Sequence, residues 1–135
     1  MPLIPNNRGQ EIALDAKTGR ATQTARTTYL ALLTAAPTAT TTLATMTEVT
    51  TAGYSRQTVT WGAPAGNPRA TSNTGALTFG PFSADPPNIT HAALVSAASG
   101  TSGDLIDSWS LDTARDGISG DSLTVAIGAL VLTQT

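Results

Sequence analysis

The residues that could do chemistry in this chain are one histidine and five closely spaced aspartates. His91 is the only histidine, and a single imidazole without a second ligand is weak evidence for a general base or a metal site. The aspartates could serve acid–base catalysis or calcium binding, but their spacing matches no calcium loop. They are Asp104, Asp107, Asp112, Asp116 and Asp121. We therefore predict a structural, hydrogen-bonded histidine and aspartates that cap turns.

No other segment of the sequence carries a catalytic or cofactor-binding pattern. Residues 99–103 are glycine-rich like a phosphate loop, but no lysine follows them, and a hairpin turn fits them better. The absence of cysteine excludes disulfides, thiolate zinc sites and cysteine nucleophiles. We therefore expect no enzymatic activity, no metal, no cofactor and no small-molecule substrate.

Charge is sparse and unevenly distributed along the chain. Charged residues make up 12% of it and the formal net charge is −2, which argues against a partner bound through nucleic-acid phosphates. Residues 1–26 hold four cations against two carboxylates, whereas residues 27–135 hold three against seven. A basic N-terminal segment on an acidic body suggests that the body offers it an acidic docking surface.

The first 25 residues are mostly polar and show no sustained apolar period. Such a segment buries too little apolar surface to offset the entropy of ordering it. We therefore predict an extended N-terminal arm, residues 1–25, held in place by another chain of an assembly. A turn with a positive φ is expected at Gly19, with a short helix as the alternative. Because neither a secretory signal nor a membrane-spanning run is present, we expect synthesis in a cytoplasm and no membrane partner.

Residues 26–135 read as one all-β domain, because threonine favours strands while frequent glycine and proline supply turns. About six or seven antiparallel strands separated by turn signals predict a β-sandwich or a jelly-roll-like barrel. The segments 38–51 and 62–72 are predicted loops, and Gly128 is a predicted bend. The predicted strands are residues 27–34, 54–61, 74–79, 89–97, 105–111 and 123–127. After Gly128, the side chains of Leu130 and Leu132 are predicted to point inward.

The large aromatic side chains are candidates for the core, and one of them is also a candidate for an interface. Trp61, Trp109 and Phe79 are expected inside, while Phe82, between prolines, is a possible interface anchor. Leu105, Trp109 and Leu111 are predicted to share one strand face. Since Asp107 interrupts that face, it should lie near an edge or have a partner.

Three segments, in order, carry a resemblance to a known family. They are residues 28–37, residues 48–61 with the motif Gly53-Tyr54-Ser55-Arg56-Gln57, and residues 89–94, which are followed by a glycine-rich turn and two further strands. Together they resemble small virion proteins of tailed bacteriophages, especially those of actinobacteria. Members are labelled tail-fibre-like proteins, minor tail proteins or capsid decoration proteins.

The resemblance implies a capsid decoration protein, a trimer on the outer surface of an icosahedral head that clamps neighbouring copies of the major capsid protein. The arm would then contact capsid subunits or sister copies, and linked arms would bind with high avidity. The expected arm contacts are the cations Arg8, Lys17, Arg20 and Arg26 and the apolar residues Leu3, Ile4, Ile12 and Leu14. A tail-fibre or baseplate part is the alternative. A receptor- or glycan-binding module, which would need exposed aromatics on a concave face, is the second alternative.

Overall fold

Antiparallel strands dominate the secondary structure of the computed structural model, which describes residues 1–22 and 24–133. Within those residues a single helix accompanies nine strands, so the all-β prediction is confirmed. That helix is too short to cross a membrane. The elements are β1 (Leu3–Pro5), α1 (Asn7–Thr18), β2 (Thr28–Leu33), β3 (Gln57–Val59), β4 (Ala70–Ser72), β5 (Leu77–Phe79), β6 (Ile89–Val95), β7 (Leu105–Arg115), β8 (Leu123–Val125) and β9 (Val131–Thr133).

A five-stranded sheet in the order β1-β7-β6-β2-β3 forms the centre of the molecule. Its central strands β2 and β6 pair from Tyr29 opposite Val95 to Leu33 opposite His91. Both strands are apolar on both faces, as the sequence predicts, and both faces of the sheet are covered. Two ribbons, β4 with β9 and β5 with β8, complete the fold.

Each face of the central sheet has its own core. The first core cluster lies where the sheet meets the ribbons, and it includes Trp109, Phe79 and Phe82. The second core cluster lies on the opposite face, where the threonine-rich loop, residues 38–51, contributes Leu43 and Met46. The core positions expected for Trp109 and Phe79 are confirmed by complete burial, and Phe82 is buried as well. Trp61 is half-buried, with its ring stacked on Trp109 at 6.4 Å between centroids.

Each predicted strand is present, most of them shorter than predicted and β7 four residues longer, but two short strands were not predicted. β4 lies inside the predicted loop 62–72, and β1 lies inside the predicted arm. Both have only three residues and owe their pairing to distant strands, β9 and β7. The bend at Gly128 is confirmed by its φ of 78°. Ile127, the last residue of the predicted strand 123–127, lies in the turn before β9 and is 66% exposed.

The extended arm is the main structural prediction that is wrong. Residues 7–18 are helical because Asn6 caps the first turn and Gly19, at φ 66°, ends the last turn in the left-handed conformation. The positive φ expected at Gly19 is thus confirmed, but the residues before it form the helix that was the alternative to a turn. Ahead of the helix, β1 pairs with β7 of its own chain. The first residues therefore contact the body that follows them in the same chain.

Candidate interaction surface

The N-terminal segment, residues 1–20, lies along the outer edge of β7. β1 is antiparallel to residues 107–109 of that strand, with Ile4 opposite Ser108. The Ser108 hydroxyl donates to the Ile4 carbonyl at 3.3 Å, and the Ser110 N–H donates to the Pro2 carbonyl at 3.1 Å. Leu3, opposite Trp109, packs against the first core cluster. The segment therefore covers an edge that would otherwise present unpaired backbone groups.

Three aspartates on or beside β7, Asp104, Asp107 and Asp112, hold the segment; we call them the aspartate row. Asp104 accepts from two cations, with the Arg8 Nε 3.0 Å from its Oδ1 and the Arg26 Nη1 3.5 Å from its Oδ2. The hydrogen bond to Asp104 raises the pKa of Arg8, which also pairs with Glu11 at 3.1 Å. The predicted acidic docking surface therefore exists, and within one chain it binds the chain's own basic segment.

The other two members of the aspartate row bind the start of the segment. Asp112 lies 3.2 Å from the α-amino group of Met1. Asp107 accepts the Asn6 N–H at 3.4 Å, so the expected partner of Asp107 is found. Burial raises the pKa of Asp107 to about 6, while the bond from Asn6 acts in the opposite direction. The prediction that these aspartates cap turns is wrong for all three, but it is confirmed for Asp121, whose carboxylate accepts the Ile118 N–H at 3.0 Å.

A shift in register places Leu105 and Asp107 on different faces of the sheet. Leu94 pairs with Asp107 and Val95 with Leu105, so one residue of β7 is left over between them. Leu105 therefore belongs to the second core cluster, whereas Trp109 belongs to the first. The predicted common face of Leu105 and Trp109 is wrong for that reason.

The first turn of α1 is tightly seated on the body. The Asn6 side chain, which caps the helix, donates to the Thr41 carbonyl at 2.9 Å, and the Asn7 N–H donates to the Ala39 carbonyl at 2.8 Å. A β-carbon at Gly9 would overlap the carbonyl oxygen of Ile106. Only glycine lets the helix backbone approach β7 so closely.

Beyond its first turns, α1 presents its side chains to solvent. Leu14 is 59% exposed, Lys17 is exposed, and Arg20 is exposed while pairing with Asp15 at 2.8 Å. We call Leu14, Lys17 and Arg20 the outer helix surface. The other predicted arm contacts either contact the chain's own body or are partly buried. Leu3 and Ile4 belong to β1, which pairs with β7. Arg8 and Arg26 pair with Asp104, and Ile12 is partly buried.

Phe82 and His91, two further candidates from the sequence, take part in packing and hydrogen bonding within the chain. Phe82, considered as an interface anchor, is 3% exposed in the first core cluster. The Nδ1 of His91 lies 2.7 Å from the Thr90 hydroxyl, which agrees with a hydrogen-bonded structural histidine, and burial lowers its pKa. Within residues 1–22 and 24–133, no group of acidic and histidine side chains is arranged to hold a metal ion.

The motif at residues 53–57 forms an ion-pair network that its spacing alone does not reveal. Arg56 donates to both carboxylate oxygens of Glu48 at 2.8 Å. It also donates to the carbonyls of Ala97 at 2.9 Å and Gly100 at 2.8 Å. The Tyr54 hydroxyl donates to Glu48 at 2.7 Å, and burial raises the pKa of this phenol. The motif therefore ties the connection between β2 and β3 to the connection between β6 and β7.

Two pairs of aromatic rings are stacked on each other within the protein. Trp109 is buried and Trp61 stacks on it. The ring of Tyr54 stacks on Phe79 at 6.0 Å between centroids. A cleft of about 380 Å³ between residues 82–89 and 115–124 has Phe82 as its aromatic lining residue, and that residue is buried.

Comparison with known proteins identifies the family. A family model described as podophage GP4 fiber I protein gp80 matches residues 9–133, which is nearly the whole chain and includes every strand after β1. No curated protein matches the chain. The predicted resemblance to phage virion proteins is thereby confirmed at the level of a virion structural protein. The chain belongs to the podophage GP4 fiber I protein gp80 family, and it is a structural protein of a phage virion.

Proposed function

We propose that this protein is a non-enzymatic component of a phage tail fibre. The observation that carries the proposal is the match of residues 9–133 to a family whose description names a fibre protein. That description favours the tail-fibre alternative over the capsid decoration protein that the resemblance first implied. The expected position on the outer surface of the head gives way, in this proposal, to a position on the tail.

A mechanical role is supported by what the polar side chains do. The carboxylates of Asp104 and Asp112 bind the chain's own N-terminal segment, and Arg56 holds loops together. Charged groups used in this way fix the relative positions of chain segments rather than being aimed at a substrate. Together with a sheet that is covered on both faces, they make a stiff body suited to transmitting force along a fibre.

The outer helix surface is the proposed contact with a neighbouring virion subunit. It combines the apolar side chain of Leu14 and the cation Lys17, both on a helix that contacts β7, with the cation Arg20 just after that helix. An exposed leucine with adjacent charges can be buried by a partner that offers an apolar depression with an acidic rim. We propose other virion proteins and sister copies as partners, and no nucleic acid, membrane or small molecule.

Location and copy number in the particle test the fibre assignment. Gold-labelled antibodies against the folded protein should decorate the tail in electron micrographs. Mass spectrometry of purified particles should count far fewer copies than of the major capsid protein. Dense labelling of the head, with hundreds of copies per particle, would refute the tail assignment and support capsid decoration.

A variant pair tests the outer helix surface. Leu14→Ser combined with Lys17→Glu should lower the amount of this protein in purified particles at least several-fold, because the apolar contact and its charge are both lost. Ile127→Ser, at a residue that is 66% exposed away from the helix, serves as the matched control and should leave incorporation unchanged. Equal incorporation of both variants would show that the helix makes no essential contact.

A further inference from the structure

The N-terminal segment is attached by contacts that depend little on the core of its own chain. No residue of α1 is buried, and only Met1 and Leu3 of the segment pack against the first core cluster. The remaining attachment consists of edge hydrogen bonds from β1 to β7, ion pairs to the aspartate row, and the hydrogen bonds of Asn6 and Asn7 to loop carbonyls. Bonds of this kind can be made equally well by the same segment arriving from another molecule.

The residues that connect the segment to the body are also compatible with a segment that is supplied by another molecule. Residues 21, 22 and 24–27 are exposed and belong to no helix or strand. Asp104 uses one oxygen for Arg8 of the segment and the other for Arg26 of the connection. Arg26 can therefore keep its contact whichever molecule supplies Arg8.

We infer that the N-terminal segment is exchangeable between copies, so that the β7 edge of one molecule can hold residues 1–19 of a second copy. The partner is a second copy because the aspartate row complements the charges of this segment, the Met1 amino group and Arg8. Every contact of the closed form is retained in the exchanged form, so only the connecting residues differ. Exchange is then governed by local concentration, which an assembly of many copies raises. This inference does not depend on the fibre assignment.

Cysteine pairing across the β1–β7 register tests the exchange, since the chain has no native cysteine. Ile4 and Ser108 are directly opposite each other, which is the spacing that a disulfide requires. Chains with Ile4→Cys and chains with Ser108→Cys are mixed in urea, refolded together under reducing conditions at high concentration, and then oxidised. We expect at least about tenfold more disulfide-linked dimer than for a non-register pair, because the exchanged segment holds the two thiols at high effective concentration.

Two controls define the result. Ile118→Cys with Ser108→Cys is the non-register pair, since Ile118 is 65% exposed and lies in the loop after β7. The double variant Ile4→Cys/Ser108→Cys in one chain should form an intrachain disulfide. If it does, and the mixed single variants give no more dimer than the non-register pair, the inference is overturned.

A second readout uses the unmodified chain. The Met1 amino group and the Asp112 carboxylate, 3.2 Å apart, can be joined by a zero-length carbodiimide cross-link. After unlabelled and ¹⁵N-labelled chains are refolded together, cross-linked peptides of mixed isotope composition would report exchange. Cross-linked peptides from single-isotope pairs alone would refute it, including when the cysteine double variant fails to oxidise.

Discussion

Replacing Asp107 by asparagine should stabilise the protein at neutral pH. The carboxylate shares a sheet face with Leu94, its register partner, and with Trp109 of the first core cluster. There it has lost part of its hydration and accepts one long bond from the Asn6 N–H, at 3.4 Å. Asparagine has nearly the same shape and can accept the same bond without carrying a charge.

The magnitude follows from the pKa of Asp107, which burial raises from 3.8 to about 6. A folded-state pKa above the unfolded value means that the folded protein binds the proton more tightly. The contribution of Asp107 to the free energy of unfolding is therefore fully favourable below about pH 4 and is lost as the pH rises through 6. About two pH units at ~1.4 kcal/mol each set a ceiling of about 3 kcal/mol. Because water still reaches part of this carboxylate, we expect about 1–2 kcal/mol.

Urea unfolding followed by tryptophan fluorescence measures the effect, since Trp109 lies in the core beside this site. The difference between Asp107→Asn and the wild type should be about 1–2 kcal/mol at pH 7 and should approach zero at pH 4. Asp116→Asn, which removes one exposed carboxylate, is the control for net charge. A difference that does not change between pH 4 and 7, or a variant that is less stable at pH 7, would contradict the proposed cost of burying this charge.

Three further changes test the contacts that hold the fold together. Asn73→Ala removes a side chain that is 1% exposed and bonds the backbone of Gly75, Ala126 and Leu130, so the free energy of unfolding should fall by about 3 kcal/mol or more in urea titration. Arg56→Lys keeps the charge but not the two-pronged bond to Glu48, and a loss of about 1–3 kcal/mol is expected in the same assay; an unchanged midpoint would show that the network is dispensable. Gly9→Ala places a β-carbon against the Ile106 carbonyl and should increase amide hydrogen exchange in α1, whereas Gln10→Ala, at the exposed neighbour, should not.

The strand content could be predicted from local sequence, because the physical cause of each strand is local. β2 and β6 are runs of apolar residues short enough to exclude helices of typical length, and their two-faced burial follows from apolar side chains at successive positions. The positive φ at Gly19 could be predicted for the same reason, since glycine adopts a positive φ at little cost. The motif at residues 53–57 supported the family resemblance, but its network became visible only when Glu48 and the carbonyls of Ala97 and Gly100 were placed around Arg56.

The sequence by itself determined that this is an all-β chain with a basic beginning and an acidic body. Only the tertiary structure decided that the beginning folds back onto that body, because Ile4 and Ser108 are 104 residues apart and no local pattern announces their pairing. The same distance hides the role of the aspartate row, whose members look like turn caps until their partners in the N-terminal segment are beside them. Local propensity predicts elements, whereas edge pairing and charge contacts depend on which distant segments the core brings together.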